Sequence, residues 1–349
     1  MARSTAELKE SILDYIRRNP DCSSSEIFEG INAPVSYATV KRTLQSMLAG
    51  NRIETSGRGK GTRYQISPAN QLLMSIEPEQ YFLKEIDERE IVDSFNHELI
   101  KNTLRSVSLF TVKEKENLDA LQRTFEKNTT GLSTEAYKQE FERLAIDLSW
   151  KSSQIEGNTY SLLETERLLK EKETAAGKTR DEATMLLNHK EALDFILEHP
   201  NYLHPLAVAG IEDIHNILTK DLNVARNIRH RRVGITGTNY RPLDNEFQIK
   251  EALEDMCKLI NQRDNIFEKT LLALVLISYI QPFADGNKRT ARIISNALLI
   301  YHRHCPISFR TVDSIDYKKA MLIFYEQNNI STFKKIFIDQ FAFAVRTYF

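Results

Sequence analysis

The strongest constraint on this chain is the stretch Gln281-Pro282-Phe283-Ala284-Asp285-Gly286-Asn287-Lys288-Arg289-Thr290-Ala291-Arg292, set between two apolar runs. Leu271 to Ile280 leads in and Ile293 to Tyr301 leads out. Both runs exceed the usual strand length, so they read as buried helices. Pro282 ends the first, and Asp285-Gly286-Asn287 is turn chemistry that feeds the second. The turn therefore sets free backbone N–H groups at a helix N-terminus beside Lys288, Arg289 and Arg292, which suits a polyphosphate. Asp285 is a carboxylate where anions should bind, a conflict that a divalent metal bridging it to phosphate resolves.

The same stretch resembles the signature of Fic (Fido-fold) proteins, HxFx[DE]GNxRxxR, at every position but the first, where Gln281 stands in place of the family's catalytic histidine. The resemblance covers roughly Thr134 to Tyr301. It implies transfer of AMP from ATP to a protein hydroxyl, with another protein or the chain itself as acceptor. It implies further that Asp285 holds Mg²⁺ on the phosphates and that N–H groups around Gly286 to Lys288 form an anion hole. Asn287 then orients the α-phosphate, and Arg289 and Arg292 neutralise the β and γ groups. Glutamine has no useful basicity near neutral pH, and loss of a general base costs about 10²- to 10⁴-fold in rate. Ser278 and Tyr279 are poor substitutes.

A second motif precedes the first. Ser152-Ser153-Gln154-Ile155-Glu156-Gly157-Asn158 ends a helix expected from about Thr134 to Ser152 and resembles the Fic inhibitory motif [ST]xxxE[GN]. By that resemblance Glu156 pairs with Arg292 and denies it to the γ-phosphate, with Ser152 and Gly157 completing the motif. Without it, Glu156 is a surface charge at a helix end. The segment Val233-Gly234-Ile235-Thr236-Gly237-Thr238-Asn239-Tyr240 alternates apolar residues around glycines and reads as a β-hairpin. It resembles the Fic flap, which holds a target segment by strand-type pairing.

The N-terminal part is organised differently. Ser4 with Glu7 and Ser23 with Glu26 are capping pairs, the first opening a helix with Leu8, Ile12, Leu13 and Ile16 on one face. A third helix spans Tyr37 to Ala49 with Val40, Leu44, Met47 and Leu48 inward. Two alternating segments then flank a Gly57-to-Gly61 turn. Three short helices and a hairpin resemble a winged helix-turn-helix. Lys41, Arg42, Arg52, Arg58, Lys60 and Arg63 face Glu54 alone between Thr39 and Tyr64. Lys41 and Arg42 on the helix, with Arg58, Lys60 and Arg63 on the wing, suit contacts to duplex DNA; a solvated face that binds protein is the other reading.

The expected architecture is mainly α: a winged helix-turn-helix over 1–68, a helical scaffold over 69–133, charged and helical from Glu79 to Asn128, and an all-helical Fic domain with a small hairpin flap over 134–349. At 349 residues with 41% apolar and 27% charged side chains, the chain has the length and composition of two globular domains. A net charge of −1 provides no global field for nucleic acid, so such contact rests on a local patch. Cys22, Cys257 and Cys305 fit neither a metal spacing nor a disulfide framework. With no apolar run of membrane-spanning length and no signal-peptide core in residues 1–20, a cytoplasmic protein is expected. Family members often pair and winged helices often read two half-sites, so a homodimer is expected too. Three functions follow: an autoinhibited adenylyltransferase impaired at Gln281, a nucleotide-binding pseudoenzyme that acts as a DNA-binding regulator, and an interaction protein with a merely structural turn.

Overall fold

The computed structural model describes residues 5–349. The chain divides into two units, Met1–Met74 and Ser75–Phe349. Among the described residues it is mainly helical, with one small antiparallel strand pair. Among the described residues, no helix is long and apolar enough to cross a membrane.

In the first unit, α1 (Thr5–Arg18) buries Leu8, Ile12, Leu13 and Ile16, the face set by their helical spacing. The expected Ser4 cap lies outside the described residues. Helix α2 (Ser24–Gly30) opens on a complete capping box, with Glu26 taking the Ser23 N–H while Ser23 Oγ takes the Glu26 N–H. Helix α3 (Tyr37–Ala49) buries Val40, Leu44 and Met47, and Leu48 is half-buried against the same core. Strands β1 (Ile53–Ser56) and β2 (Arg63–Ile66) pair antiparallel from Ile53 opposite Ile66 to Ser56 opposite Arg63. The turn between them needs glycine at position 57: φ is +72°, and a Cβ there would lie 2.3 Å from the Gly61 carbonyl oxygen. Pro68 opens a short helix, α4 (Pro68–Leu73), capped by Ser67.

The second unit departs from expectation at its start. The expected helix from Glu79 is not continuous before α5 (Val112–Thr130): short turns at Pro78–Tyr81 and Ile86–Glu88 and a brief helical segment over Leu99–Thr103 and Leu104–Ser106 are set in otherwise extended chain. The backbone there is satisfied by distant partners: Val92 N–H donates to the Glu326 carbonyl and Asn96 N–H to the Tyr279 hydroxyl. From α5 the chain continues through α6 (Thr134–Ile155), α7 (Leu162–Glu171), α8 (Arg180–Glu198) and α9 (Val208–Leu218). It then passes through α10 (Glu246–Gln262), α11 (Ile266–Ile280), α12 (Asn287–Tyr301), α13 (Ser314–Gln327) and α14 (Ser331–Tyr348). Helix α6 runs past the expected end at Ser152 as far as Ile155. Helix α11 is buried at every position and α12 at most, so the two apolar runs form the centre of this unit.

The expected hairpin over Val233 to Tyr240 is not formed. Only a turn at Thr236-Gly237 interrupts irregular chain, and the one bridge nearby joins Arg241 to Ser94 in parallel sense. The second half of the segment pairs with the extended chain before α5 instead of with its own first half.

Candidate functional site

Helix α11 ends at Gln281, whose backbone is left-handed (φ 52°, ψ 57°). That reversal turns the carboxamide back on the chain: Nε2 donates to the Ser278 carbonyl at 2.7 Å, and Oε1 accepts from Asn287 Nδ2 at 2.9 Å. The Gln281 carbonyl accepts from Arg229 Nε at 2.6 Å. Asn287 closes the turn from its other end, accepting from Phe283 N–H at 2.9 Å and donating to the Phe283 carbonyl at 2.8 Å. Both ends of its carboxamide are thus engaged within the turn. The buried Phe283 ring stacks on His215 with centroids 3.7 Å apart. His215 Nε2 lies 3.0 Å from the Asp285 carbonyl oxygen, and burial depresses this imidazole to about 4, so it is neutral.

Gly286 follows at φ +82°, where a Cβ would press on Thr219 and His215 at 3.3–3.4 Å. Its N–H is taken by the Asp285 carboxylate at 2.6 Å, so it is not free for an anion as expected. Helix α12 starts at Asn287, and the first helical bond runs from Thr290 N–H to the Gly286 carbonyl. The N–H groups of Asn287, Lys288 and Arg289 therefore lack intrahelical acceptors and sit at the positive end of the helix dipole.

The cations are arranged by depth. Arg289 is buried, with Nη2 3.4 Å from the largely exposed Asp285 carboxylate. Arg292 is fully buried and gripped by α6: Nε donates to Ser152 Oγ at 2.8 Å and Nη2 to the Ser152 carbonyl at 3.0 Å. Its guanidinium lies over the Tyr317 ring, 5.2 Å from the centroid. Glu156 completes the cluster, with Oε1 2.8 Å from Arg292 Nη2 and Oε2 3.3 Å from Lys288 Nζ. A carboxylate at the C-terminal end of a helix is disfavoured by the dipole. Burial also works to raise the Glu156 pKa, yet Arg292 first and Lys288 next hold it down at about 2. Gly157, at φ +99°, lets the chain leave α6 directly after this carboxylate.

A cleft of about 400 Å³ opens in front of these groups. Glu156, Gln281, Asp285, Gly286, Asn287 and Lys288 line it, as do Val233, Gly234, Ile235 and Thr236. Gly237, Thr238, Asn239 and Tyr240 do not: Asn239 donates to Asp87, and Tyr240 is buried with its ring stacked on Tyr279. Sequence reasoning missed Lys318, Met321, Leu322 and Tyr325, which form the opposite wall. Their spacing puts them on one face of α13, a stripe that in the sequence reads as ordinary core packing. In the other unit Lys41, Arg42, Arg58 and Lys60 are exposed, whereas Arg63 is paired with Glu26 at 3.0 Å. Among the described residues, no cluster of three or more metal-ligating side chains occurs.

The model of the Fic/DOC family matches residues 205–299, from the approach to α9 to near the end of α12. These residues form a Fic/DOC domain. The protein adenylyltransferase Fic of Nematostella vectensis is 29% identical over 174 residues, covering 48% of this chain and 40% of that protein. The protein adenylyltransferase fic-1 of Caenorhabditis elegans is 24% identical over 163 residues, 44% of this chain and 31% of that one. The matched region is thus less than half the length of either relative. Among solved structures, Fic-1 (residues 134 to 508) from C. elegans superposes with a TM-score of 0.60 at 19% identity, covering 68% of this chain and 72% of that one. A Fic-domain signalling protein from Bacteroides thetaiotaomicron gives 0.56 at 20% identity, covering 66% of this chain and 95% of that one. These two share the fold of about two thirds of this chain.

Proposed function

We propose that the chain is a Fic-type protein adenylyltransferase held off by Glu156 and impaired by Gln281. The observation that carries this reading is the Glu156–Arg292 contact at 2.8 Å, with the second carboxylate oxygen on Lys288. In the reaction an acceptor hydroxyl oxygen attacks the α-phosphorus of ATP, the bond to the α–β bridging oxygen breaks, and pyrophosphate leaves with AMP joined to the protein. Arg292 serves the γ-phosphate once Glu156 releases it, Arg289 the β-phosphate, and the first-turn N–H groups of α12 the negative oxygens between. Asp285 is exposed at the cleft and its carboxylate is a hard oxygen donor, so it is the residue that would hold Mg²⁺. When bound, that ion offsets phosphate charge. Val233 to Thr236 border the cleft and are the place for an extended acceptor segment.

Gln281 favours a second reading, a nucleotide-binding regulator without turnover. Its carboxamide is satisfied on both sides, so the turn is intact while no side chain there can take the acceptor's proton. In either reading the unit Met1–Met74 is a winged helix that meets duplex DNA through Lys41, Arg42, Arg58 and Lys60; pairing into a homodimer and a cytoplasmic location belong to the same proposal. Labelled ATP separates the two readings. The Gln281→His, Glu156→Gly double variant should become covalently labelled far faster than the unaltered chain. A double variant that takes up no label would end the transferase reading.

A further inference from the structure

The chain between the Pro78–Tyr81 turn and the helical segment that begins at Leu99 is fastened to the cleft through a buried ion pair. Arg89 Nη1 meets Glu326 Oε1 at 3.0 Å, with both side chains almost wholly buried. Glu326, near the end of α13, also accepts from the Tyr81 hydroxyl at 2.6 Å, and its carbonyl takes the Val92 N–H at 2.8 Å. The other arm of Arg89 reaches forward: Nη2 donates to the Gly237 carbonyl at 2.9 Å. Two further ties run beside it, Asn239 Nδ2 to Asp87 at 2.8 Å and Arg241 N–H to the Asp93 carbonyl at 2.8 Å. Residues 237–241 are therefore held along their length by 87–94.

The neighbouring residues behave differently. Among the described residues, Val233 to Thr236 make no main-chain hydrogen bond, and they are the ones that line the cleft. Gly237 marks the change between the two halves, with φ +92° and a position where an added Cβ would lie 3.3 Å from Leu322 of the opposite wall. One half of the segment is bolted down and the other presents an unpaired backbone edge.

We infer that Arg89 is a positioning residue for acceptor docking: it fixes Gly237 from behind, so that the free edge of residues 233–236 is presented at the cleft in one register. This rests on the adenylyltransferase reading above. A guanidinium suits the task because its planar fork serves Glu326 and the Gly237 carbonyl at once. Lysine at this position keeps the charge beside Glu326 and loses the second arm, so Arg89→Lys releases the segment without leaving a buried carboxylate unpaired. Asp87→Ala removes a tie at the protein surface and carries little risk to folding.

The experiment uses the full chain in the Gln281→His, Glu156→Gly background, with the unaltered chain titrated as acceptor in trans. Arg89→Lys and Asp87→Ala should each lower kcat/KM for the acceptor, by about 10- to 100-fold for Arg89→Lys, through a raised KM. ATP affinity by calorimetry should stay the same. Hydrogen exchange of residues 233–241 should speed up in both variants while α11 and α12 keep their protection. If the background chain labels nothing, faster exchange in these residues still establishes the clamp, and the failure belongs to the transferase reading. Unchanged exchange in both variants overturns the inference, as does faster exchange with an unchanged acceptor KM in an active background.

Discussion

Removing the Glu156 carboxylate tests how strongly the cleft is held against nucleotide. Its pKa of about 2, against an ordinary 4.5, corresponds to roughly 3 kcal/mol of preference for the charged, paired form. Most of that preference comes from Arg292, which is fully buried; Lys288 is at the cleft surface, where solvent screens it. A γ-phosphate that takes over Arg292 must displace the carboxylate, so the contact weakens ATP binding by up to about 10²-fold. Glu156→Gln keeps the shape and removes the charge; Glu156→Gly removes both. Isothermal calorimetry should show both variants binding ATP tens of times more tightly than the unaltered chain. AMP has no phosphate to compete for Arg292 and should gain little. Equal ATP affinity in all three proteins refutes the reasoning, and so does an equal gain for AMP, which would mean that Glu156 merely narrows the cleft.

Three other outcomes are expected. Gln281→His, in the Glu156→Gly background, should raise self-labelling by about 10²- to 10⁴-fold; a rate no different from Glu156→Gly alone removes position 281 from the chemistry. The Glu156 pair stabilises the fold fully above pH about 4.5 and loses that contribution as pH falls through the folded pKa of about 2. The stability advantage of the unaltered chain over Glu156→Gln in urea should therefore shrink between those limits, and an advantage independent of pH counts against the pair. For the first unit, a Lys41/Arg42/Lys60 triple alanine variant should bind duplex DNA more weakly, with a log–log salt slope shallower by roughly 3; binding as tight as the parent's excludes this face.

What the sequence made legible is what local chemistry determines. The two apolar runs around residues 281–292, the capping box of Ser23 and Glu26, and the amphipathic faces of α1 and α3 each carry their signal within a few turns. The extended chain at 87–96 does not, because its partners are remote: Gly237 and Glu326 for Arg89, Tyr279 for the Asn96 N–H. Charged residues at helical spacing looked like a helix, and only those distant acceptors make an extended path worthwhile. The same competition undid the hairpin, since residues 237–241 found partners in 87–94 before their own neighbours. Glu156 was legible through motif resemblance alone, because helix-end electrostatics argue against a carboxylate there and its compensation, Arg292, lies 136 residues on. The α13 wall was hidden for the opposite reason: its spacing is so ordinary that nothing marks Lys318 or Tyr325 as cleft residues.

The geometry at position 281 bears on which kinetic quantity a substitution there can change. The left-handed backbone that ends α11 is one that histidine and asparagine adopt more readily than most residues, so the site is built for a polar ring as well as for an amide. Its two side-chain contacts ask for one donor, toward the Ser278 carbonyl, and one acceptor, toward Asn287. Glutamine supplies both through its amide. A neutral imidazole supplies both through its two nitrogens, with the proton directed to Ser278. Exchanging the two residues therefore leaves the turn closed, Asn287 engaged and the first turn of α12 in place, while changing proton affinity. The consequence falls on turnover and not on nucleotide affinity: Gln281→His should alter the labelling rate while the Kd for ATP stays within about twofold. A large change in that Kd would mean that residue 281 shapes the phosphate site itself, and that the intact turn owes more to glutamine than its hydrogen bonds indicate.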